Sequence, residues 1–156
     1  MIIAQSYEEL LKKNKKLVFV DVRSPKEYTE AHIPDAINIP VFSDKEREII
    51  GTLYKKEGKK QAIREALKIV GPKVYEIYTE MEKYVERDTE IVVCCARGGM
   101  RSSAVVSFFK EFSLPLVKLA KGYKGYRSYL NEKLPEMVAQ CEYTALYGKT
   151  GSGKTK

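Results

Sequence analysis

The segment Cys95–Ser102, Cys-Ala-Arg-Gly-Gly-Met-Arg-Ser, contains the residue types best suited to chemistry in this chain. It follows the apolar stretch EIVVCC (90–95), which predicts a buried strand, and precedes the apolar stretch 104–112, which predicts a helix. A loop leading into a helix N-terminus turns backbone N–H groups inward, and the helix dipole adds partial positive charge. Gly98 and Gly99 allow such a loop to curl without Cβ clashes. The segment therefore predicts an anion-binding cradle around a thiol.

Cys95 is the candidate nucleophile at the base of this cradle. Arg97 and Arg101 add cationic charge, so the thiol should ionise below the pKa of ~8.5 of a free cysteine. Cys94 precedes it on the strand and points to the opposite face, where core packing is expected. Cys141 lies away from the loop and is assigned no role. The predicted anion-binding residues are Ala96, Arg97, Gly98, Gly99, Met100 and Arg101.

A second phosphate-binding pattern closes the chain. Residues 148–155 match G-x-x-x-x-G-K-[ST] and follow QCEYTALY (140–147), which predicts a strand. In such a P-loop, Lys154 would reach the terminal phosphates and Thr155 would face Mg²⁺. The predicted phosphate-binding residues are Gly148, Gly151, Ser152, Gly153, Lys154 and Thr155. Only Lys156 follows, so the pattern indicates either a chain cut inside the P-loop or one half of an enzyme divided between two chains.

Apolar segments that alternate with amphipathic ones predict an α/β fold in which helices cover both faces of a mostly parallel sheet. Two capping boxes, Ser6 with Glu9 and Ser24 with Glu27, predict helix starts. Strands are predicted at 17–22, 36–40, 90–95 and 114–120, and further helices at 62–70, 74–85, 104–112 and 126–130. The apolar stripes of the two middle helices are predicted to face the core.

The composition bounds the class of protein. The 156 residues are 44% hydrophobic and 31% charged, as in soluble globular proteins. No apolar run approaches the ~20 residues that span a membrane, and the start of the chain lacks a signal-peptide pattern, so a cytoplasmic location and no membrane contact are expected. Three cysteines are too few for a disulfide framework. No metal site is assigned, and the net charge of +7 is compatible with a polyanionic partner.

Three segments carry a resemblance to a known family. DVRSPKEYTEAHIPDAINIP (21–40) resembles the front signature of rhodanese-like domains, which also keep a reactive cysteine in the position of the loop at 95–102. That loop, together with REIIGTLYKKEGKKQAIREA (47–66) and GYKGYR (122–127), resembles tRNA 2-selenouridine synthases, which join a rhodanese domain to a P-loop domain. The resemblance implies a rhodanese-like domain over 1–135 and the start of a P-loop domain over 136–156. Lys121 departs from the pattern, because a glycine is expected there; the departure concerns a turn.

The resemblance implies a transferase that replaces sulfur by selenium in the wobble 2-thiouridine of tRNA. Selenophosphate and geranyl diphosphate would be substrates, with an S-geranylated intermediate and no covalently bound cofactor. Cys95 matches the essential cysteine and would carry the chalcogen, while Asp21, Arg23 and His32 match structural positions. The implied partners are tRNA and the missing P-loop domain, in the same full-length chain or a separate one.

Other functions stay open on the sequence alone. Cys95-x5-Arg101 also has the spacing of cysteine phosphatases, including those with a rhodanese-like fold. A phosphatase must protonate its leaving group, and the loop itself contains no Asp, Glu or His. A generic thiosulfate sulfurtransferase is a variant of the same transfer chemistry. A non-catalytic rhodanese-like binding module is the remaining alternative, although the intact cysteine and two loop arginines disfavour it.

Overall fold

A sheet of parallel strands forms the centre of the fold in a computed structural model of the chain. The structure describes residues 4–142 together with Tyr147 and Lys149. Over those residues the strands are β1 (Ala4–Gln5), β2 (Lys16–Asp21), β3 (Ile37–Asn38), β4 (Thr89–Cys94) and β5 (Leu116–Leu119). They lie in the order β1-β5-β4-β2-β3, and each neighbouring pair is parallel. The predicted α/β class with a parallel sheet is confirmed.

Helices connect the strands. They are α1 (Tyr7–Leu11), α2 (Pro25–Glu30), α3 (Asp44–Lys56), α4 (Lys59–Val70), α5 (Val74–Glu82), α6 (Met100–Phe109) and α7 (Gly122–Ala139), with short 3₁₀ turns at Gly71–Lys73 and Lys110–Phe112. The first two begin where the predicted capping boxes place them, after Ser6 and Ser24. A third capping box, Ser43 with Glu46, starts α3.

The two faces of the sheet bury separate apolar clusters. On one face, Val93 and Cys95 pack with side chains from α5 and α6, among them Met81 and Val106. On the other, side chains from β4 and β5 pack with α1 and α7, and Cys94 belongs to this second cluster. The opposite directions of Cys94 and Cys95 follow from the two-residue period of a strand, as the sequence predicts.

Two helices are longer than the sequence predicts. Helix α6 begins at Met100 instead of at 104, because Gly99 in extended backbone acts as its N-cap and the end of the cysteine loop joins the first turn. Helix α7 extends over 122–139 instead of 126–130 and passes through Pro135. Pro135 has no N–H to donate to the carbonyl of Asn131, so α7 lacks one backbone hydrogen bond at this point.

The predicted tail strand at 140–147 overlaps the end of α7. The N–H of Gln140 donates to the carbonyl of Met137, and that of Cys141 donates to Val138, so these two residues complete the helix end. Residues 143–146 lie outside the described residues. The division between domains at 135 and 136 stays a prediction.

The apolar stripe of α4 faces the core only in part. Ala62 is 2% exposed, but Ile63 is 39% and Leu67 is 68% exposed, so the prediction is wrong for these two residues. Helix α4 packs chiefly against α3. The exposed edge of this apolar stripe, with Ile63 and Leu67, lines a cleft.

A buried ion pair ties β2 to its surroundings. The Arg23 guanidinium lies 2.6 Å from an Asp21 carboxylate oxygen, donates to the carbonyl of Ala31 at 2.7 Å, and stacks 4.4 Å above the ring of Tyr123. Breaking such a buried pair by removing one partner typically costs about 3–5 kcal/mol. Asp21 and Arg23 thus hold the ends of β2, α2 and α7 together, in agreement with their implied structural role.

His32 also makes structural contacts. Its Nδ1 lies 2.9 Å from the carbonyl oxygen of Tyr28, and the two rings stack with centroids 4.0 Å apart.

In the part of the chain that the structure describes, no helix has the length and apolar character needed to cross a membrane.

Candidate active site

Cys95 lies just beyond the carboxyl end of β4 and is 2% exposed. Its Sγ is 3.2 Å from the Oγ of Ser102, in the first turn of α6. The backbone N–H groups of Ser102 and Gly99 also hydrogen-bond to the sulfur. Several donors thus converge on one sulfur atom, an arrangement that favours the thiolate over the neutral thiol.

The two adjacent cysteines have opposite electrostatic surroundings. Burial raises the pKa of the Cys95 thiol, but the hydrogen bonds from Ser102 and Gly99 and the charge of Arg101 outweigh it, so the pKa is lowered overall. Burial raises the pKa of Cys94 well above its ordinary value, and the nearby Asp21 carboxylate adds to the effect. Of the two thiols, Cys95 is therefore the one whose surroundings favour ionisation, and Cys94 is a core thiol.

The Ser102 hydroxyl can serve two acceptors. Besides the Cys95 sulfur, its Oγ lies 3.3 Å from the Gly99 carbonyl, to which it donates. Because a hydroxyl has a single proton, it donates to one of them at a time. A neutral Cys95 thiol donates to Oγ while the hydroxyl donates to Gly99. When Cys95 ionises, the hydroxyl can turn toward the sulfur, so the new charge gains a donor.

Arg101 has a carboxylate partner that the loop sequence does not reveal. Its Nη1 is 2.6 Å from Oε2 of Glu27, and its Nη2 is 3.1 Å from Oε1. Burial raises the pKa of Glu27, but the hydrogen bonds and charge of Arg101 lower it by more, so Glu27 is ionised near neutral pH. Arg101 thus faces both the thiol and a fixed anion, whereas Arg97 is exposed.

The start of α7 packs against the backbone of the cysteine loop. Gly122 adopts φ +56°, and a Cβ there would lie 2.0 Å from the carbonyl oxygen of Cys95. That carbonyl accepts a hydrogen bond from the N–H of Tyr123 at 2.9 Å, and the carbonyl of Ala96 accepts one from Lys124 at 3.0 Å. Gly98 adopts φ +61°, and a Cβ there would lie 2.9 Å from the backbone nitrogen of Lys121. The glycines of this region therefore fix the position of the loop.

A cleft of about 1060 Å³ opens beside Cys95 between α3, α4 and α6. Most of its walls are apolar side chains, including those of Ile50, Ile63, Ala66, Leu67, Val70, Ala104 and Phe108. Arg47, Lys55, Arg97 and Arg101 also line it, as do the carboxylates of Glu27 and Glu48. The volume of about 1060 Å³ is slightly above the usual range for small-molecule sites, about 300–1,000 Å³.

The structure brings most of the predicted loop residues to one place. Cys95, Ala96, Arg97, Gly99, Met100 and Arg101 line the cleft, whereas Gly98 packs against α7. The predicted P-loop residues Gly148, Gly151, Ser152, Gly153, Lys154 and Thr155 lie outside the described residues. Ser102, Glu27 and Gly122 are site residues that the sequence analysis does not single out. The position of Ser102 at the end of the loop motif is the one local signal that could have identified it.

Comparison with known proteins assigns the chain to a family. A family model of the rhodanese-like domain matches residues 4–131. The chain therefore belongs to the rhodanese-like domain family.

The names of individual relatives are more specific than that of the domain family. The chain is 36% identical over 137 residues to the tRNA 2-selenouridine synthase of Bdellovibrio bacteriovorus, a match that covers 87% of this chain and 36% of that protein. It is 34% identical over 157 residues to the tRNA 2-selenouridine synthase of Shewanella frigidimarina, covering 100% of this chain and 42% of that protein. The chain thus spans about two fifths of the length of the relatives it matches.

A solved structure supports the same fold. The crystal structure of the N-terminal domain of a protein from Clostridium difficile 630, described as ATP/GTP binding, is 38% identical and superposes with a TM-score of 0.77. The match covers 81% of this chain and 98% of that one. A domain of this size and fold is therefore stable on its own in at least one relative.

Proposed function

We propose that this chain is the chalcogen-transfer domain of an enzyme that replaces sulfur by selenium in the wobble 2-thiouridine of tRNA. The observation that carries the proposal is the Cys95 thiol, whose pKa is lowered by donors from Ser102 and Gly99 at the mouth of a cleft. Membership in the rhodanese-like family and similarity to tRNA 2-selenouridine synthases give that thiol its expected chemistry.

The transfer step needs only a nucleophilic sulfur and a site for an anion. With thiosulfate, the Cys95 thiolate attacks the outer sulfur, and an S–S bond forms on the protein. The bond between the two donor sulfur atoms breaks, and its electron pair leaves with sulfite. Cys95 is left as a persulfide anion, which the N–H groups of the loop can stabilise. Selenosulfate gives a perselenide and sulfite by the same balance of atoms and electrons.

For the whole enzyme we propose selenophosphate as the selenium donor, and an S-geranylated tRNA intermediate made with geranyl diphosphate. The net charge of +7 favours a polyanionic partner such as tRNA, and the names of the relatives point to the same substrate. The motif at 148–155 supports a following P-loop domain. A cytoplasmic location goes with this function.

The experiment that tests the domain's role is chalcogen loading followed by mass spectrometry. After incubation with thiosulfate or selenosulfate, Cys95 should gain the mass of one sulfur or one selenium atom. Cys95→Ser should abolish the adduct, and Cys141→Ser, the same substitution at an exposed cysteine, should leave it unchanged. An adduct that persists in Cys95→Ser would assign the chemistry to another thiol and contradict the proposal.

The whole reaction is tested in the longer protein that includes the P-loop domain. Selenophosphate-dependent conversion of 2-thiouridine in tRNA should occur with Cys95 and be lost in Cys95→Ser. Full conversion by Cys95→Ser would show that the thiol does not take part in the reaction.

A further inference from the structure

The last turns of α7 carry an apolar stripe that extends beyond the packed core. Its members are Leu130, Leu134, Met137 and Cys141, whose spacings of four, three and four residues place them along one side of the helix. Leu130 is half-buried and packs against the core, whereas Leu134 and Met137 are 55% and 57% exposed, and Cys141 is exposed as well. The stripe therefore begins inside the domain and continues into solvent.

The exposed part of this α7 stripe lies outside the domain that the family shares. The rhodanese-like family model ends at residue 131, and the exposed part begins at Leu134. The other side of the same turns is charged, with Glu132 and an ion pair of 3.1 Å between Lys133 and Glu136. A helix with one apolar and one charged side is typical of a helix that packs against a further element.

The sequence limits how far the next domain can lie from the stripe. The phosphate-binding motif at 148–155 begins seven residues after Cys141. Seven residues span at most about 25 Å even when fully extended. A P-loop follows directly on a strand of its own domain, so a domain built around this motif is tethered close to α7. A tether this short gives an effective concentration in the mM range, which allows a small apolar contact to form.

We propose that the exposed part of the α7 stripe, Leu134, Met137 and Cys141, is the docking surface for the P-loop domain that follows in the same chain. The inference rests on the part of the proposed function in which a P-loop domain follows this one. A second copy of this chain fits the surface less well, because a stable dimer buries about 800 Å² per partner, more than three side chains present. A tethered domain docks on less area because the chain fixes its local concentration.

Docking at this surface connects the second domain to Cys95 through a single helix. At the start of α7, the N–H of Tyr123 donates to the carbonyl of Cys95, and that of Lys124 donates to the carbonyl of Ala96. Met137 lies about 20 Å further along the axis, at 1.5 Å per residue. Helix α7 thus sets the distance between the cysteine loop and the docked domain.

Cysteines on two sides of α7 test the docking. In a Cys141→Ser background, Met137→Cys places a thiol on the stripe. Ser128→Cys places one at an exposed position two and a half turns away, on the opposite side of the helix. Mass spectrometry measures labelling by N-ethylmaleimide in this chain and in the longer protein that includes the P-loop domain. The thiol at position 137 should react at least tenfold more slowly in the longer protein, and the thiol at position 128 equally fast in both. Equal rates at position 137 would overturn the proposal.

A charge on the stripe should remove this protection. With Leu134→Glu added to both proteins, labelling at position 137 should agree within about twofold. Ile49→Glu, at a position 50% exposed on α3, makes a matched change away from the stripe and should leave the protection intact. Protection that survives Leu134→Glu would overturn the proposal. Unchanged melting temperatures verify that both variants are folded, and the comparison of positions 137 and 128 does not depend on either of them.

Sedimentation decides between the two occupants of the stripe. Leu134→Glu should leave the oligomeric state of this chain unchanged. A dimer of this chain that Leu134→Glu dissociates would assign the stripe to a second copy and overturn the proposal.

The outcomes separate this inference from the proposed function. Loading of Cys95 by thiosulfate without protection at position 137 would leave the transfer function standing and remove the docking surface. Protection at position 137 without chalcogen loading would do the reverse.

Discussion

Glu27 holds Arg101 by two hydrogen bonds, 2.6 and 3.1 Å long, across a separation of 74 residues in the sequence. Arg101 is the last residue of the Cys-x5-Arg loop and the cation that helps to lower the pKa of Cys95. Its charge is therefore shared between a thiolate and a carboxylate. An anion that enters the loop must compete with Glu27 for the same guanidinium.

Removing the charge of Glu27 should strengthen anion binding. We expect Glu27→Gln to raise the affinity of the loop for sulfate or thiosulfate on the order of tenfold. The substitution removes a negative charge that repels the bound anion by about 1–2 kcal/mol. Calorimetric titration measures the change. Glu30→Gln alters the net charge equally at an exposed position of the same helix and should have little effect. Equal gains in both variants would reduce the effect to bulk electrostatics.

The Ser102 hydroxyl should control the ionisation of Cys95. Hydrogen bonds to charged groups are worth about 1.5–3 kcal/mol, so Ser102→Ala should destabilise the thiolate and raise the pKa of Cys95. In wild type, the pH profile of Cys95 alkylation should have its midpoint below that of a free cysteine. In Ser102→Ala the midpoint should move to higher pH, so the rate at neutral pH falls while the plateau at high pH changes little. Ser107→Ala, at an exposed position of α6, is the matched control. An unshifted midpoint in Ser102→Ala would contradict the assignment.

Lys121 occupies a backbone conformation that favours glycine. Its φ of +57° is left-handed, where a side chain costs about 1–2 kcal/mol. Part of this is offset by the greater chain entropy of glycine in the unfolded state, so Lys121→Gly should raise the free energy of unfolding by about 0.5–1 kcal/mol. Urea denaturation measures it.

The matched control for this change lies three residues further on. Lys124→Gly removes the same side chain from an exposed position inside α7 and should lower stability by about 1 kcal/mol. A loss of stability in Lys121→Gly as large as that in Lys124→Gly would show that the lysine side chain stabilises the turn.

The parts of the fold predicted from sequence are those with a local cause. The apolar run 90–95 predicts a buried strand, and its two-residue period separates Cys94 from Cys95. Capping boxes at Ser6 and Ser24 locate two helix starts because the partners are three residues apart. In each case the signal and the structure lie in the same few residues.

The parts that could not be predicted depend on distant residues. The 3.6-residue period of α4 shows which face of the helix is apolar. It cannot show that this face lies against α3 and a cleft, where Leu67 is exposed. The pairing of Arg101 with Glu27 joins α6 to α2, and no local pattern connects them. Likewise, position 122 needs a glycine because a Cβ there would collide with the carbonyl oxygen of Cys95. The two residues are far apart in the sequence, so no local pattern shows this contact.

A rival function, that of a cysteine phosphatase, would use the same loop differently. A phosphatase needs a proton donor for its leaving group, and the sequence leaves open a carboxylate brought in from elsewhere. Glu27 is such a carboxylate, but its ion pair with Arg101 keeps its pKa low, so it is ionised near neutral pH and is a poor proton donor there.

We therefore expect negligible turnover of an aryl phosphate by this chain, even though its good leaving group barely needs an acid. The assay follows release of the aryl alcohol at neutral pH, in parallel with thiosulfate loading of the same protein preparation. Cys95→Ser separates turnover by the loop from contamination. If the chain hydrolyses the aryl phosphate in a Cys95-dependent manner and takes up no chalcogen, the phosphatase function is correct and the transfer function is wrong. Chalcogen loading on Cys95 without hydrolysis is the expected result, because the thiolate and its N–H donors suffice for transfer, whereas the ionised Glu27 competes for the guanidinium that a phosphoryl group would need.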